Sequence, residues 1–106
     1  MHLENLKNIE EREIVPGFRG KFIHSDSMTL AYWNIASGSI LPEHAHVHEQ
    51  VVNVLEGTLE ISIEGIRHSL EPGSVLCIPS NVPHSGKAVT GCRVLDVFHP
   101  VREEYQ

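Results

Sequence analysis

The chain has 106 residues, a length that suits one domain rather than two. Its net charge of −6 with neutral histidines argues against a nucleic-acid partner, because phosphate contacts need clustered Lys and Arg. Few aromatic residues, together with 8 Gly and 6 Pro, favour short strands and tight turns over long helices.

Compartment and redox state follow from what the sequence lacks. Met1 to Arg12 carries acidic residues where a signal peptide needs an apolar run, and no stretch is long enough to span a membrane. The two cysteines, Cys77 and Cys92, do not form a CxxC pair. We expect a cytoplasmic protein with no membrane partner and with both cysteines reduced, Cys77 lying in the core of a strand.

Residues 1–16 are predicted to form an N-terminal arm, and residues 17–106 a β-barrel domain. Within the arm, apolar residues at near-helical spacing leave a short helix and an irregular arm both open. From residue 17 the apolar pattern has a period of two or forms short runs, which predicts strands at 18–24, 28–36, 58–63, 66–70, 74–78, 84–89 and 93–98. Nine or ten short strands at this spacing indicate an all-β sandwich or barrel.

Three histidines crowd into five positions, His44, His46 and His48. Residues two apart in a strand point to the same face, so His44 and His46 can present both imidazoles to one side. A bend over residues 47–49 would return Gln50 to that side, and His84 can join them from a distant strand. The histidines of such a loop can also be merely solvated, because His-x-His alone is a weak signal.

The predicted ligands are therefore His44, His46, Gln50 and His84, around one divalent metal ion. Imidazole nitrogens suit Zn²⁺, Ni²⁺, Fe²⁺ and Mn²⁺, and the sequence does not choose among these metals. Three neutral imidazoles and an amide leave the charge of the ion uncompensated, which favours a substrate that carries a carboxylate.

Two charged residues near the C-terminus are candidates for catalysis. Val94, Asp96 and Phe98 share one face of the last strand by alternation, which places a carboxylate between two apolar residues. Asp96 is either a general acid/base beside the metal or a structural carboxylate held by a backbone amide or an arginine. Arg102 can clamp a carboxylate, or it is a solvated residue beside acidic neighbours.

Two stretches resemble the two sequence motifs of the cupin family. In the first, Gly38 precedes His44-x-His46 by five residues and Gly57 closes the motif, with Gln50 where the family usually has Glu. In the second, Gly73 and Pro79 lead to His84, with Asn81 in place of a Gly and Ala88 in place of the final Asn. Asn tolerates positive φ better than most residues, so the turn at Asn81 is expected to survive. The resemblance implies a single-domain cupin, a double-stranded β-helix or jelly-roll barrel.

Within that family, the chain resembles the small proteins related to the pectin-degradation protein KdgF. The run from His44 to Gln50, the loop Ile78 to Gly86 and the segment Asp96 to Glu103 carry this likeness. Members of that group convert 4,5-unsaturated uronates to open-chain keto sugars. The resemblance therefore implies that Asp96 and Arg102 are catalytic, that Phe98 and Arg102 bind substrate, and that the substrate is a sugar acid.

Two other functions remain open from the sequence alone. One is a cupin dioxygenase that uses Fe or another redox metal, since imidazole ligands with open positions allow it. The other is a non-catalytic module that binds a small molecule. The resemblance and the expected exposed strand edges both favour a homodimer.

Overall fold

A computed structural model describes residues 2–106; Met1, the first residue of the predicted arm, lies outside this range. The described chain is almost entirely β, as predicted, with two short 3₁₀ helices at Leu6–Asn8 and Glu103–Tyr105. The strands, in chain order, are β1 (Arg12–Val15), β2 (Phe18–His24), β3 (Thr29–Ile35), β4 (Ile40–His44), β5 (Glu49–Glu56), β6 (Leu59–Ile63), β7 (Ile66–Leu70), β8 (Val75–Ile78), β9 (His84–Ala88) and β10 (Cys92–His99). No helix in the described part of the chain is long and apolar enough to cross a membrane.

The strands form two antiparallel sheets. The larger sheet has the order β1-β2-β3-β10-β5-β8, and the smaller one has the order β4-β9-β6-β7. Side chains that alternate inward from both sheets meet in one apolar core, to which β10 contributes Val94 and Phe98 and β6 contributes Leu59 and Ile61. The all-β barrel predicted from turn spacing is confirmed.

A tight turn explains where β6 ends and β7 begins. Glu64 and Gly65 join β6 to β7, and both have positive φ, 51° and 79°. Two consecutive residues with positive φ match the twist of a tight hairpin, so the Glu-Gly pair fixes the register of these two strands. That register places Ile63 opposite Ile66 directly across the turn.

One prediction about a single residue needs correction. Cys77 is exposed rather than part of a strand core, because it lies on the outward side of β8, an edge strand. Cys92 is buried, and both cysteines are free. In the segment predicted as an arm, Arg12–Val15 pairs with β2 as the outermost strand of the larger sheet.

Candidate metal centre and adjoining cavity

Three imidazoles converge where the smaller sheet meets the start of β5. β4 ends at His44, and antiparallel pairing places His44 directly opposite His84, the first residue of β9. His46 follows in a bend, so local chain geometry rather than strand alternation brings its ring beside theirs. One ligand atom from each of the three residues lies within 4.8 Å of the others. His44, His46 and His84 can therefore hold a metal ion.

Hydrogen bonds to the backbone set the tautomer of each of these rings. Each Nδ1 atom lies 2.9 Å from a carbonyl oxygen two residues away: His44 from Pro42, His46 from His48, and His84 from Val82. Because a carbonyl oxygen only accepts, the proton of each neutral ring is on Nδ1. The lone pair is then on Nε2, the nitrogen that is free to bind a metal.

Burial keeps two of the rings neutral. Desolvation lowers the pKa of His46 to about 4, and the nearby charge of Arg102 acts in the same direction. Desolvation also lowers the pKa of His84. Both residues are therefore unprotonated at neutral pH, which is the state that metal binding requires.

Gln50, the fourth predicted ligand, lies beside His46. It is the second residue of β5, it is 7% exposed, and its Oε1 lies 3.1 Å from Nε2 of His46. With the His46 proton on Nδ1, these two atoms are both acceptors that face each other. Nε2 of His84 is buried and has no hydrogen-bond partner in the described part of the chain. Facing lone pairs and an unpaired buried nitrogen fit a divalent cation, which would satisfy all of them.

The loop between β8 and β9 supports the histidine segment. Asn81 has φ of 64°, so the turn expected to survive the Gly-to-Asn replacement is present. The backbone N–H of Asn81 donates to the carbonyl oxygen of His46 at 2.8 Å, and the Ser80 hydroxyl donates to the carbonyl oxygen of Val47. These bonds hold the bend that carries His46 against the loop that leads to His84.

A cavity of about 200 Å³ is lined by His44 and His84 and has residues of both sheets in its wall. His44, Gln50 and His84 lie at one part of this wall, and Asp96 and Arg102 add a carboxyl group and a guanidinium. Its apolar lining includes Trp33, Leu41, Val52, Leu59, Ile61, Val94 and Phe98. A few polar groups in a mostly apolar cavity are typical of a small-molecule site.

Asp96 is a buried carboxyl group in this wall. The Trp33 Nε1–H donates to its Oδ2 at 3.0 Å, while its Oδ1 is buried with no hydrogen-bond partner among the described residues. Burial raises the pKa of Asp96 to about 7, although Gln50, Trp33 and the charge of Arg102 oppose that rise. A carboxyl group with this pKa can both give and take a proton near neutral pH.

The raised pKa predicts how the stability of the metal-free protein changes with pH. The folded protein retains the Asp96 proton to a higher pH than the unfolded chain does. Its free energy of unfolding therefore falls as the pH rises from 3.8, the ordinary value, to about 7, and this contribution is constant above. Asp96→Asn removes the effect, so the stability of the variant relative to the wild type should increase across that window. Urea denaturation of chelator-treated proteins at several pH values measures the difference, and parallel pH profiles would contradict it.

Arg102 is buried rather than solvated, which corrects the alternative suggested by its acidic neighbours. It is 9% exposed, and its guanidinium carbon lies 4.7 Å from the centre of the Phe98 ring. Its backbone N–H donates to the Thr29 hydroxyl at 2.9 Å, which ties the segment after β10 to the start of β3. Phe98 is 2% exposed. The structure thus brings Asp96, Phe98 and Arg102 to one cavity.

Two residues of this cavity were missed in the sequence. Trp33 is in the core, and it also lines the cavity and donates to Asp96. Tyr105 lies in the short segment after β10, where its ring stacks on Phe22 with centroids 4.5 Å apart and also lines the cavity. An aromatic residue in an otherwise polar C-terminus was the one available signal.

His48 is outside the group of converging imidazoles. Its Nε2–H donates to the carbonyl oxygen of Val101 at 3.1 Å, so this ring supports the segment that carries Arg102. Its Nδ1 is buried, and no residue that the structure describes forms a hydrogen bond with it. The structure therefore places His48 beside the site as a support of the C-terminal segment.

Comparison with known proteins gives consistent results. The family described as "Cupin domain" matches residues 31–98. The pectin degradation protein KdgF of Dickeya dadantii is 29% identical over 96 residues, which cover 88% of this chain and 87% of that protein. The solved structure of KdgF from Halomonas sp. superposes with a TM-score of 0.88 at 24% identity, covering 94% of each chain. An RmlC-like cupin from Shewanella frigidimarina superposes with a TM-score of 0.93 at 25% identity, over 100% of this chain and 96% of that one.

Proposed function

The chain belongs to the cupin family, and from that premise we propose that it is a metal-dependent enzyme that converts 4,5-unsaturated uronates to open-chain keto sugars. The observation that carries this proposal is the shared cavity. Imidazoles that converge as metal ligands, a carboxyl group with a pKa of about 7 and a buried guanidinium all border one space of about 200 Å³. Its similarity to a pectin degradation protein supports a sugar acid as the substrate.

His44, His46, Gln50 and His84 are the proposed metal ligands. A divalent ion held there would supply Lewis-acid polarisation of substrate oxygen atoms. The ligands contribute no negative charge, so the site favours an anionic substrate. This ligand set predicts that metal affinity falls as the pH is lowered toward the range in which the imidazoles take up protons.

Arg102 and Phe98 are proposed to bind the sugar. The guanidinium can donate two parallel hydrogen bonds to the carboxylate of the uronate. Phe98 offers an apolar surface beside that guanidinium, against which the ring of the sugar can pack. Together they would place the reacting part of the sugar next to Asp96, which lines the same cavity.

Asp96 is proposed to move the proton in both steps of the reaction. Ring opening breaks the bond between C1 and the ring oxygen, and a proton passes from the C1 hydroxyl to that oxygen, which becomes an enol hydroxyl. The enol proton then passes to C4, which leaves a ketone at C5 and completes an isomerisation without an external oxidant. Oδ1 of Asp96 has no hydrogen-bond partner among residues 2–106, so this atom is available for the transfer.

The first experiment measures turnover of the unsaturated galacturonate that a pectate lyase releases, through loss of its ultraviolet absorbance. The protein is tested as purified, after chelation, and after single metals are added back. Metal-dependent loss supports the proposal and identifies a competent metal. Stoichiometric metal binding without any loss would rule out this substrate and favour either a dioxygenase or a binding module. Oxygen consumption with a candidate substrate would distinguish those two.

We also propose that the protein forms a homodimer through the outer face of its larger sheet. Alternate residues of β3, β5 and β10 point outward there, and most of them are uncharged: Leu30, Tyr32, Val51, Asn53, Leu95 and Val97. Pairing across the sheet places Val97 between Leu30 and Val51. The outer face of the smaller sheet is polar by contrast, with Glu60, Ser62, Arg67, Ser69 and Lys87. An uncharged, mostly apolar face suits a second copy of the chain.

Val97→Glu is expected to give a monomer, because two-fold pairing would bury the new charge in the interface without a partner. Sedimentation velocity or light scattering at several protein concentrations measures the change. Ser62→Glu adds the same charge to the outer face of the smaller sheet and should leave the dimer intact. A monomeric wild type, or a dimeric Val97→Glu protein, would contradict the proposal.

A further inference from the structure

The guanidinium of Arg102 is held from three directions. Its carbon lies 4.7 Å from the centre of the Phe98 ring and 4.6 Å from the centre of the Tyr105 ring. Those two rings are 6.0 Å apart and inclined by 65°, so the guanidinium sits in the corner between them. From a third direction, Oε1 of Glu104 accepts hydrogen bonds from Nε and Nη2. A long, flexible side chain is thereby fixed in one orientation.

Glu104 approaches Arg102 from outside the cavity. Arg102, Phe98 and Tyr105 line the cavity of about 200 Å³, whereas Glu104 lines a separate depression at the surface. The side chain of Glu104 is 50% exposed and that of Arg102 is 11% exposed. Because Glu104 takes the edge formed by Nε and Nη2, the Nη1 end of the guanidinium remains for a group inside the cavity.

The segment that carries Glu104 and Tyr105 is itself anchored to the barrel. The carbonyl oxygen of Tyr105 accepts from Nη2 of Arg12 and lies 3.2 Å from Nε2 of His24. The ring of Tyr105 stacks on Phe22. These contacts tie the last 3₁₀ helix to β1 and β2, so the support of Arg102 is built into the fold.

We propose that Glu104 and Tyr105 are positioning residues, which orient Arg102 so that its Nη1 end binds the carboxylate of the ligand. This inference rests on the proposed function, in which Arg102 anchors a sugar acid. Glu104 holds the outer edge of the guanidinium, and Tyr105 with Phe98 fixes its plane. Loss of either residue weakens binding of the carboxylate without removing Arg102.

Glu104→Gln and Glu103→Gln form a matched pair for the test, because both remove one negative charge and the two residues are adjacent. Glu104→Gln should raise the KM for the unsaturated uronate about tenfold, since it replaces a charge-assisted bond to Arg102 by a weaker one. Its kcat should change much less, and Glu103→Gln should behave as the wild type. Tyr105→Phe should preserve KM because it retains the ring, whereas Tyr105→Leu should raise it.

A second measurement does not depend on turnover. The Nε–H signal of Arg102, assigned by its loss in Arg102→Lys, is followed by NMR of the metal-loaded protein. It should shift in Glu104→Gln but not in Glu103→Gln. D-galacturonate should shift it in the wild type, whereas D-galactose, which lacks the carboxylate, should not. These results would support the positioning role even if the uronate is not turned over.

Three outcomes would overturn the inference. Equal effects of Glu103→Gln and Glu104→Gln on KM would show that net charge alone acts. A lower KM in Glu104→Gln would show that Glu104 competes with the ligand for Arg102. An Arg102 signal that does not respond to galacturonate would show that Arg102 does not bind the carboxylate. If the wild type shows no turnover but the Arg102 signal responds as expected, only the proposed reaction is rejected.

Discussion

Asp96→Asn is expected to lower kcat for the unsaturated uronate by about 10²–10⁴-fold, the range that a positioned acid/base contributes. Asn has nearly the shape of Asp, and its side-chain oxygen can still accept from Trp33, so the fold should be retained. What the variant cannot do is carry a proton between the hydroxyl oxygen and the carbon that receives it. Steady-state rates, followed by ultraviolet absorbance, measure the change in kcat.

The control for Asp96→Asn is Asp26→Asn. Asp26 is the only other aspartate in the chain, and it is exposed in the connection between β2 and β3. Both variants replace a carboxyl group by an amide of nearly the same shape, so a loss confined to Asp96→Asn points to the position of Asp96 in the cavity rather than to the removal of a carboxyl group as such. Metal content must match the wild type in both proteins. Unchanged turnover in Asp96→Asn at full metal content would remove Asp96 from the mechanism.

Local signals in the sequence predicted most of the strands. Alternating apolar residues and turn residues such as Glu64-Gly65 place β6 and β7 within a residue of their observed bounds. These signals are local because a hairpin turn and the period of a strand depend on neighbouring residues. The turn at Asn81 follows in the same way, since positive φ is a property of a single residue.

Burial of single residues was harder to predict, because it depends on which element covers a strand. Cys77 lies in a strand, but that strand forms the edge of the larger sheet and its outward side is uncovered. Arg102 has acidic neighbours in sequence, yet its backbone N–H donates to the hydroxyl of Thr29, 73 residues earlier at the start of β3, and this contact holds it against the barrel. No pattern within a few residues of either position carries that information.

The candidate site depends both on local sequence patterns and on contacts between segments that are distant in sequence. The spacing of His44 and His46 indicates a chelate, but strand alternation is not what joins them, because β4 ends at His44. The bend that carries His46 is held by the loop containing Asn81, about 35 residues later. The ligand types can thus be predicted from the sequence, while the contacts that bring the three rings together join segments that meet only in the fold.

His84→Ala is expected to lower metal affinity by more than about 100-fold, which exceeds the usual effect of losing an outer hydrogen-bond partner of a ligand. His84 is 3% exposed, and its buried Nε2 has no other partner in the described chain. An alanine offers no donor atom, so the ion would lose one of its three imidazole ligands. Metal per chain after dialysis against a weak chelator, together with turnover, measures the loss.

His99→Ala is the matched control for His84→Ala, because it removes an imidazole from the exposed end of β10. It should keep both metal and activity. Circular dichroism of the two variants separates loss of the ion from loss of the fold. If His84→Ala retains a full complement of metal, the ion is bound elsewhere. The lone pairs of His44, His46 and Gln50 would then need another explanation, such as ordered water between them.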